Sequence, residues 1–355
     1  MRTSGIAVQA RQANGMHAML AQKQVFDYGK KPLRRGGCVV FPLKKGAGKS
    51  AAAIARAFPG ARLTRAEFTE REAKPRTIRE ALRKKLSAKE LALVPSSFDL
   101  LGDVAIIELP KGIAKKAKKI GEALMRVNKS VESVYLKTGA HKGVFRSEPV
   151  RLVAGRRKKF ATYREHGCVF RVSIGKVFFS PRLSTERKRI ASLIMPGEKI
   201  AALFAGVGPF PIVFAKNSGM ASAAAIELNP AAVDDMEENI RLNKAENKVE
   251  AVLGDVKGLS RDKNFAGLFD RAVMPLPKGG EDFLEDAIRY IKPSGGVVHY
   301  YQFVSRDDPY TIPLRQIAAA CEKLGRKFGI LFSRKVREYA PDTIQVVVDF
   351  RVFEA

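Results

Sequence analysis

The chain has 355 residues, 46% of them hydrophobic, with 64 lysines and arginines against 36 aspartates and glutamates, for a formal net charge of +28. That length exceeds one ordinary hydrophobic core and suits two or three domains. No run reaches the roughly 18 apolar residues of a membrane span, the first residues lack the apolar core of a signal peptide, and three widely spaced cysteines, Cys38, Cys168 and Cys321, indicate neither a disulfide framework nor a CxxC zinc site. A cytoplasmic protein without metal or membrane attachment is expected.

The charge is unevenly spread. Residues 1–200 hold 44 Lys and Arg against 15 Asp and Glu, whereas residues 201–355 hold 20 against 21. A basic part joined to a neutral part predicts a polyanion-binding portion and a second portion with another task. Attachment to a membrane surface would call for an amphipathic helix with large apolar anchors, and none stands out.

In chain order, residues 1–75 contain one clear strand, 36–43, followed by Lys44-Lys45-Gly46-Ala47-Gly48-Lys49-Ser50. A phosphate-binding P-loop would need glycine five residues before Gly48, where the chain has Leu43, so this run is read as a basic turn. Residues 76–94 read as one basic amphipathic helix, 104–109 as a buried strand, and Ile113, Ala117, Ile120 and Leu124 as the apolar stripe of a helix backed by lysines. Strands are predicted at 134–137, 143–153 and 168–179, with a basic turn, Gly155-Arg156-Arg157-Lys158-Lys159, between the last two. From about residue 176, strands (199–204, 221–227, 249–253, 271–274, 296–301) alternate with helices (184–194, 209–217, 230–243, 281–291, 313–324). This is the grammar of a doubly wound, Rossmann-like parallel sheet. Two last strands, 329–338 and 343–353, are set to pair as an antiparallel hairpin. The predicted fold is α/β, with domains over 1–75, 76–175 and 176–355.

Four strand ends in succession carry ligand chemistry. Phe204-Ala205-Gly206-Val207-Gly208-Pro209 follows the first strand; its glycines let backbone approach a ligand at a helix N-terminus. A dinucleotide fingerprint would want a small residue at 211, where the chain has Pro211. Glu227, followed by Leu228, ends the second strand, where an acid can accept both ribose hydroxyls. Asp255, followed by Val256, ends the third and suits an adenine amino group; Pro275-Leu276-Pro277 makes a rigid turn after the fourth.

Residues 171–353 resemble the archaeal and eukaryotic tRNA (guanine-37-N1)-methyltransferases, class I enzymes that use S-adenosylmethionine. The resemblance is carried by Phe179-Ser180-Pro181-Arg182-Leu183-Ser184-Thr185-Glu186-Arg187, 204–210, 226–230, Glu238-Asn239-Ile240-Arg241-Leu242-Asn243-Lys244, Gly254-Asp255-Val256 and His299-Tyr300-Tyr301. It extends upstream to 98–107, Phe145-Arg146 and 152–155, and so covers about residues 80–355. It implies Glu186 as general base and Arg146 as the cation that stabilises charge on guanine O6. It places S-adenosylmethionine against Phe178, Phe204, Ala205, Gly206, Val207, Gly208, Glu227, Leu228, Asp255, Val256, Pro275 and Pro277. Arg182, Arg187, Arg156, Arg157, Lys158 and Lys159 are the expected tRNA contacts, on a monomer.

Two positions depart from the family pattern: Ala202 where an Asp is common, and Pro275 where Asn-Leu-Pro is common. They keep open three alternatives: methylation of a wybutosine precursor at the same nucleotide, aminocarboxypropyl transfer there, or an inactive RNA-binding protein. The aminocarboxypropyl transferases lack the Pro181-to-Leu183 pattern.

Overall fold

The computed structural model describes residues 2–71, 75–139 and 149–354. The chain folds as two compact units, Met1–Arg76 and Thr77–Ala355. The boundary expected at 175 falls inside the second.

In the first unit, β1 (Thr3–Gln9), α1 (Ala13–Gln22), β2 (Leu33–Arg35), β3 (Cys38–Pro42), α2 (Gly48–Arg56) and β4 (Arg62–Ala66) build an antiparallel sheet in the order β2-β3-β1-β4. Alternation along β1 sends Ile6 and Val8 into a core with Met16 and Leu20 of α1, Phe41 of β3 and Ile54 of α2. The run read as a basic turn over 44–50 turns only at 45–47, and Gly48 already opens α2.

The second unit begins with α3 (Ile78–Leu82) and α4 (Ala88–Ala92), where one helix over 76–94 was expected. The break has a local cause. Ser87 accepts from the Glu90 N–H, and Glu90 reaches back to the Ser87 N–H at 2.8 Å, a capping box that starts a new helix. Next come β5 (Asp99–Leu101), β6 (Val104–Ile107), α5 (Ala117–Val127), β7 (Ser133–Lys137) and β8 (Val150–Gly155), with sheet order β5-β6-β7-β8. The apolar stripe Ala117, Ile120 and Leu124 packs on Val134 and Val153, leaving Lys118 and Lys119 outward. Of the strand expected over 143–153, residues 143–148 lie outside the described residues, and its end falls in β8.

A hairpin of β9 (Phe160–Glu165) and β10 (Cys168–Ser173) follows, turning at His166 and Gly167, both of positive φ. Strand β9 lies outside the strands expected from the sequence, and β10 stops at Ser173, short of the expected 179, before a turn with Gly175 at φ 77°.

The large sheet contains β11 (Lys199–Leu203), β12 (Ser222–Glu227), β13 (Val249–Leu253), β14 (Arg271–Met274), β15 (Gly296–Ser305), β16 (Phe328–Ala340) and β17 (Thr343–Val352), in the order β13-β12-β11-β14-β15-β17-β16. The first five pair in parallel, and β17 joins β15 and β16 antiparallel. Helices α6 (Ser184–Leu193), α7 (Pro209–Asn217) and α8 (Pro230–Leu242) cover one face. Helices α10 (Leu284–Tyr290) and α11 (Thr311–Lys323) cover the other, and the short α9 (Val256–Leu259) follows β13. The doubly wound sheet with its terminal hairpin is the fold expected from the alternation of elements.

Helix α8 also completes β10. Asp235, Asn239 and, just past the helix end, Asn243 lie four residues apart and accept from the backbone N–H groups of Ser173, Arg171 and Val169 at 2.6, 2.6 and 2.9 Å. The two asparagines return donors to the Arg171 and Val169 carbonyls at 2.9 and 2.7 Å. Four helical residues rise about 6 Å and two strand residues about 6.7 Å, so this spacing lets a helix serve as a neighbouring strand.

Candidate active site

β11 lies between β12 and β14, where the connections change direction across the sheet, and the loop after it stands at this switch point. Phe204, Gly206 and Gly208 all have left-handed backbone, at φ 53°, 56° and 82°. The loop folds back so that the Ala205 N–H donates to the Ile226 carbonyl and the Gly208 N–H to that of Ala205, each at 2.9 Å. A side chain at Gly208 would meet Met236 Cγ of α8 at 2.9 Å, whereas one at Gly206 would approach only the Phe178 carbonyl oxygen, 3.7 Å away. The loop is therefore closed against α8 and open beside Gly206. Val207 and Ala205 are buried, and the Phe204 ring meets Phe283 edge-on at 4.9 Å. Phe178 is half exposed near this opening.

Glu227 is already engaged. Its Oε2 accepts from the Gly206 N–H at 2.8 Å, and its Oε1 from the Leu228 and Asn229 N–H groups at 3.0 and 2.9 Å. A carboxylate has about four acceptor positions, so one place remains, on the oxygen facing the open loop. The carboxylate ties loop to strand end and can take one ribose hydroxyl without rearranging, rather than the two expected. Asp255 is exposed and caps α9 through the Lys257 N–H at 3.1 Å, and Val256 beside it is buried. In the turn after β14 the Leu276 N–H bonds back to Met274, and the Pro277 carbonyl accepts from the Phe303 N–H of β15 at 2.9 Å. Left-handed glycine backbone, an acid with one open acceptor position and an exposed acid one strand further on suit a nucleoside bearing a short charged chain.

Glu186, in the first turn of α6, is 1% exposed. Its Oε2 accepts from Arg189 Nε at 3.0 Å and from the Tyr301 hydroxyl at 2.8 Å; its Oε1 accepts from Arg334 Nη2. Burial first, then the Glu186 charge, push the Tyr301 phenol well above its ordinary range, so it is a proton donor here. The Tyr301 ring also lies 6.4 Å from Phe210, which opens α7 just past the glycine loop. The carboxylate is thus one side chain removed from the end of that loop.

Arg189 is held in turn by Asp349, at 2.5 and 3.3 Å. His299 is fully buried between Asp349, 2.6 Å from Nδ1, and Arg271, 2.7 Å from Nε2. A guanidinium can only donate, so Nε2 accepts and the proton sits on Nδ1, facing Asp349. Burial, with help from the two arginines, holds the His299 pKa below its ordinary value despite Asp349, and the ring is neutral. Burial acts to raise the Asp349 carboxyl, but its hydrogen bonds from His299 and Arg189 outweigh that and hold it well below the usual carboxylate range. Arg271 ends the chain on Glu198, at 2.7 and 2.9 Å. The sequence analysis missed Arg189, Arg334 and Asp349 as neighbours of Glu186. Tyr301 stood in a matched run, whereas nothing local marked the hairpin residues.

Of the expected tRNA contacts, Arg156, Arg157 and Lys159 are exposed in the turn before β9. Lys158 is committed to Asp103 and Glu132. Arg182 is about half exposed and bonds Asp99 at 2.8 Å. Arg187 is turned inward: it is 1% exposed, paired with Glu165 and set near the Phe179 and Phe210 rings. A buried, paired guanidinium has no donor to offer a phosphate, so Arg187 is a structural residue. Arg146 lies outside the described residues. Ala202 is buried in the apolar layer beneath α6 and α7, and Pro275 is half buried. Among the described residues there is no cluster able to hold a metal and no helix long and apolar enough to cross a membrane.

The family model described as the TRM5/TYW2 methyltransferase domain matches residues 161–330, and one described as the TYW2 N-terminal domain matches residues 78–158. The tRNA (guanine(37)-N(1))-methyltransferase Trm5b of Pyrococcus abyssi is 35% identical over 352 residues, 99% of each chain. The solved complex of aTrm5 with tRNALeu is 27% identical with a TM-score of 0.76, covering 98% of this chain and 99% of that one. The crystal structure of M. jannaschii TYW2 in complex with AdoMet is 27% identical with a TM-score of 0.56, covering 73% of this chain and all of the other.

Proposed function

Because the chain belongs to the TRM5/TYW2 methyltransferase family, we propose that it methylates N1 of guanine 37 in tRNA, with S-adenosylmethionine as donor. The observation that carries this reading is the setting of Glu186: a buried carboxylate, joined through Tyr301 to the end of the glycine loop, in a chain similar over its whole length to a guanine-37 methyltransferase.

S-adenosylmethionine supplies, when bound, a methyl group already activated on a sulfonium. The protein holds it with the backbone of Phe204 to Gly208, the remaining acceptor position of Glu227 with Leu228, Asp255 with Val256, and the apolar surfaces of Phe178, Pro275 and Pro277. Guanine N1 bears a proton, and its lone pair is delocalised into the ring amide. Glu186 removes that proton as the N1–methyl bond forms. Arg146 neutralises the charge that gathers on O6. Arg189 and Tyr301 keep the carboxylate oriented throughout.

The work divides along the chain. Residues 1–75 recognise tRNA shape, residues 76–175 grip the anticodon stem-loop with Arg156, Arg157 and Lys159, and residues 176–355 bind the donor and carry the base. The protein acts as a cytoplasmic monomer. Methyl incorporation into two tRNA transcripts that differ only at position 37 tests the reading. Guanine 37 should accept label and adenine 37 should not; equal labelling of both would exclude it.

A further inference from the structure

Glu186 is buried too deeply for a guanine to reach without a neighbour moving, and its three partners differ in what holds them. Tyr301 is fully buried in β15. Arg189 is anchored by two bonds to Asp349, and its guanidinium lies 5.2 Å from the centre of the Phe332 ring. These two together fill Oε2. Among the described residues, Arg334 stands alone on Oε1. Its side chain is 36% exposed, and it arises from the edge strand β16, between two irregularities in the pairing with β17, at Ile330/Phe332 and Lys335/Arg337. Its Nε is buried without a hydrogen-bond partner among the described residues. A guanidinium with an unsatisfied N–H, half in solvent, leaves at lower cost than one fixed at both ends.

We propose that Arg334 is a latch on the base: it occupies Oε1 of Glu186 in the substrate-free enzyme and is displaced when the target guanine enters. The inference rests on the reading of Glu186 as general base. Arg334 fills the acceptor position on Oε1 that the N1 proton must reach, and its departure opens that position as the guanine enters. Among the described residues, the charged and titratable groups around Glu186 are Arg189 on its own helix, Tyr301 on β15, Arg334 on β16 and, behind Arg189, Asp349 on β17. Arg334 is the partner among them that is free to change place. It is a positioning residue, acting through Glu186.

The test is methyl transfer to a guanine-37 tRNA transcript by wild type, R334Q and R334K. kcat/KM reports the free enzyme and free tRNA, and the single-turnover rate at saturating enzyme reports the complex. R334Q removes a contact that exists only in the free enzyme, so it should raise kcat/KM by about tenfold and leave the single-turnover rate at the wild-type value. R334K should keep both near wild type. An unchanged or lowered kcat/KM in R334Q overturns the latch, because Arg334 then does not obstruct the base in the free enzyme. A fall in the single-turnover rate of R334Q also overturns it, because Arg334 then stays on Glu186 in the complex. E186Q separates this from the underlying assignment. Loss of transfer with donor binding retained upholds Glu186 as the base whatever R334Q does, whereas wild-type transfer by E186Q removes the base and the latch together.

Discussion

His299 ties Glu186 to the pH response of the fold. Its folded-state pKa lies below the unfolded value of 6.5, so below that pH the unfolded chain binds a proton that the folded chain refuses. Stability contributed by His299 is fully present above pH 6.5 and declines as pH falls from there toward the folded pKa. Replacing it by glutamine should make the fall of Tm between pH 6.5 and 5 shallower than in wild type, as read by thermal scans at several pH values. Parallel curves would mean that His299 is not held neutral. At this scale the sequence was legible only in part. An acid in the first turn of a helix is ordinary, favoured by the helix dipole alone, and Glu186 stood out only through the resemblance carried by 179–187. Arg334 lies 148 residues further along the chain, on a strand with no feature of its own, so only the folded sheet brings the two together. Arg187 misled for the converse reason. Its charge suggests a phosphate contact, while its partner Glu165 sits on β9, a strand outside every element expected from the sequence.

Among the elements, the seam between α8 and β10 satisfies buried polar groups next to the glycine loop. Asn239 is fully buried; it accepts from the Arg171 N–H and donates to the carbonyls of Arg171 and of Val207 in the glycine loop. Alanine there leaves these groups without partners, at a cost of about 3 kcal/mol. Denaturant unfolding of N239A should show that loss, and the KM for the methyl donor should rise because Val207 is no longer held. A stability change within about 0.5 kcal/mol, as for an ordinary surface substitution, would refute the seam. The alternating strands and helices after residue 176 were legible because each carries its own apolar period and its own Gly or Pro boundary. The break of 76–94 was signalled by Ser87 and Glu90 and passed over for the longer apolar pattern. The short β9, flanked by basic residues, had no period strong enough to separate it from the turn before it.

For the molecule as a whole, the proposed division of RNA binding from donor binding follows a charge asymmetry plain in the sequence. tRNA affinity should fall steeply with salt, at roughly 0.7 to 0.9 log units per log unit of salt for each phosphate neutralised. Replacing Arg156, Arg157 and Lys159 together by alanine should reduce that slope by about 2 to 3, with donor affinity unchanged; a slope equal to wild type would remove this turn from the RNA contact. The identity of the product is where the departures at Ala202 and Pro275 matter most, because related chemistry is carried out on other groups of the same nucleotide. The decisive measurement is nucleoside analysis, by mass spectrometry, of an unmodified guanine-37 tRNA transcript after incubation with the protein and S-adenosylmethionine. N1-methylguanine at position 37 is the predicted result; an unmodified guanosine there, or a modified nucleoside other than N1-methylguanine, would contradict it.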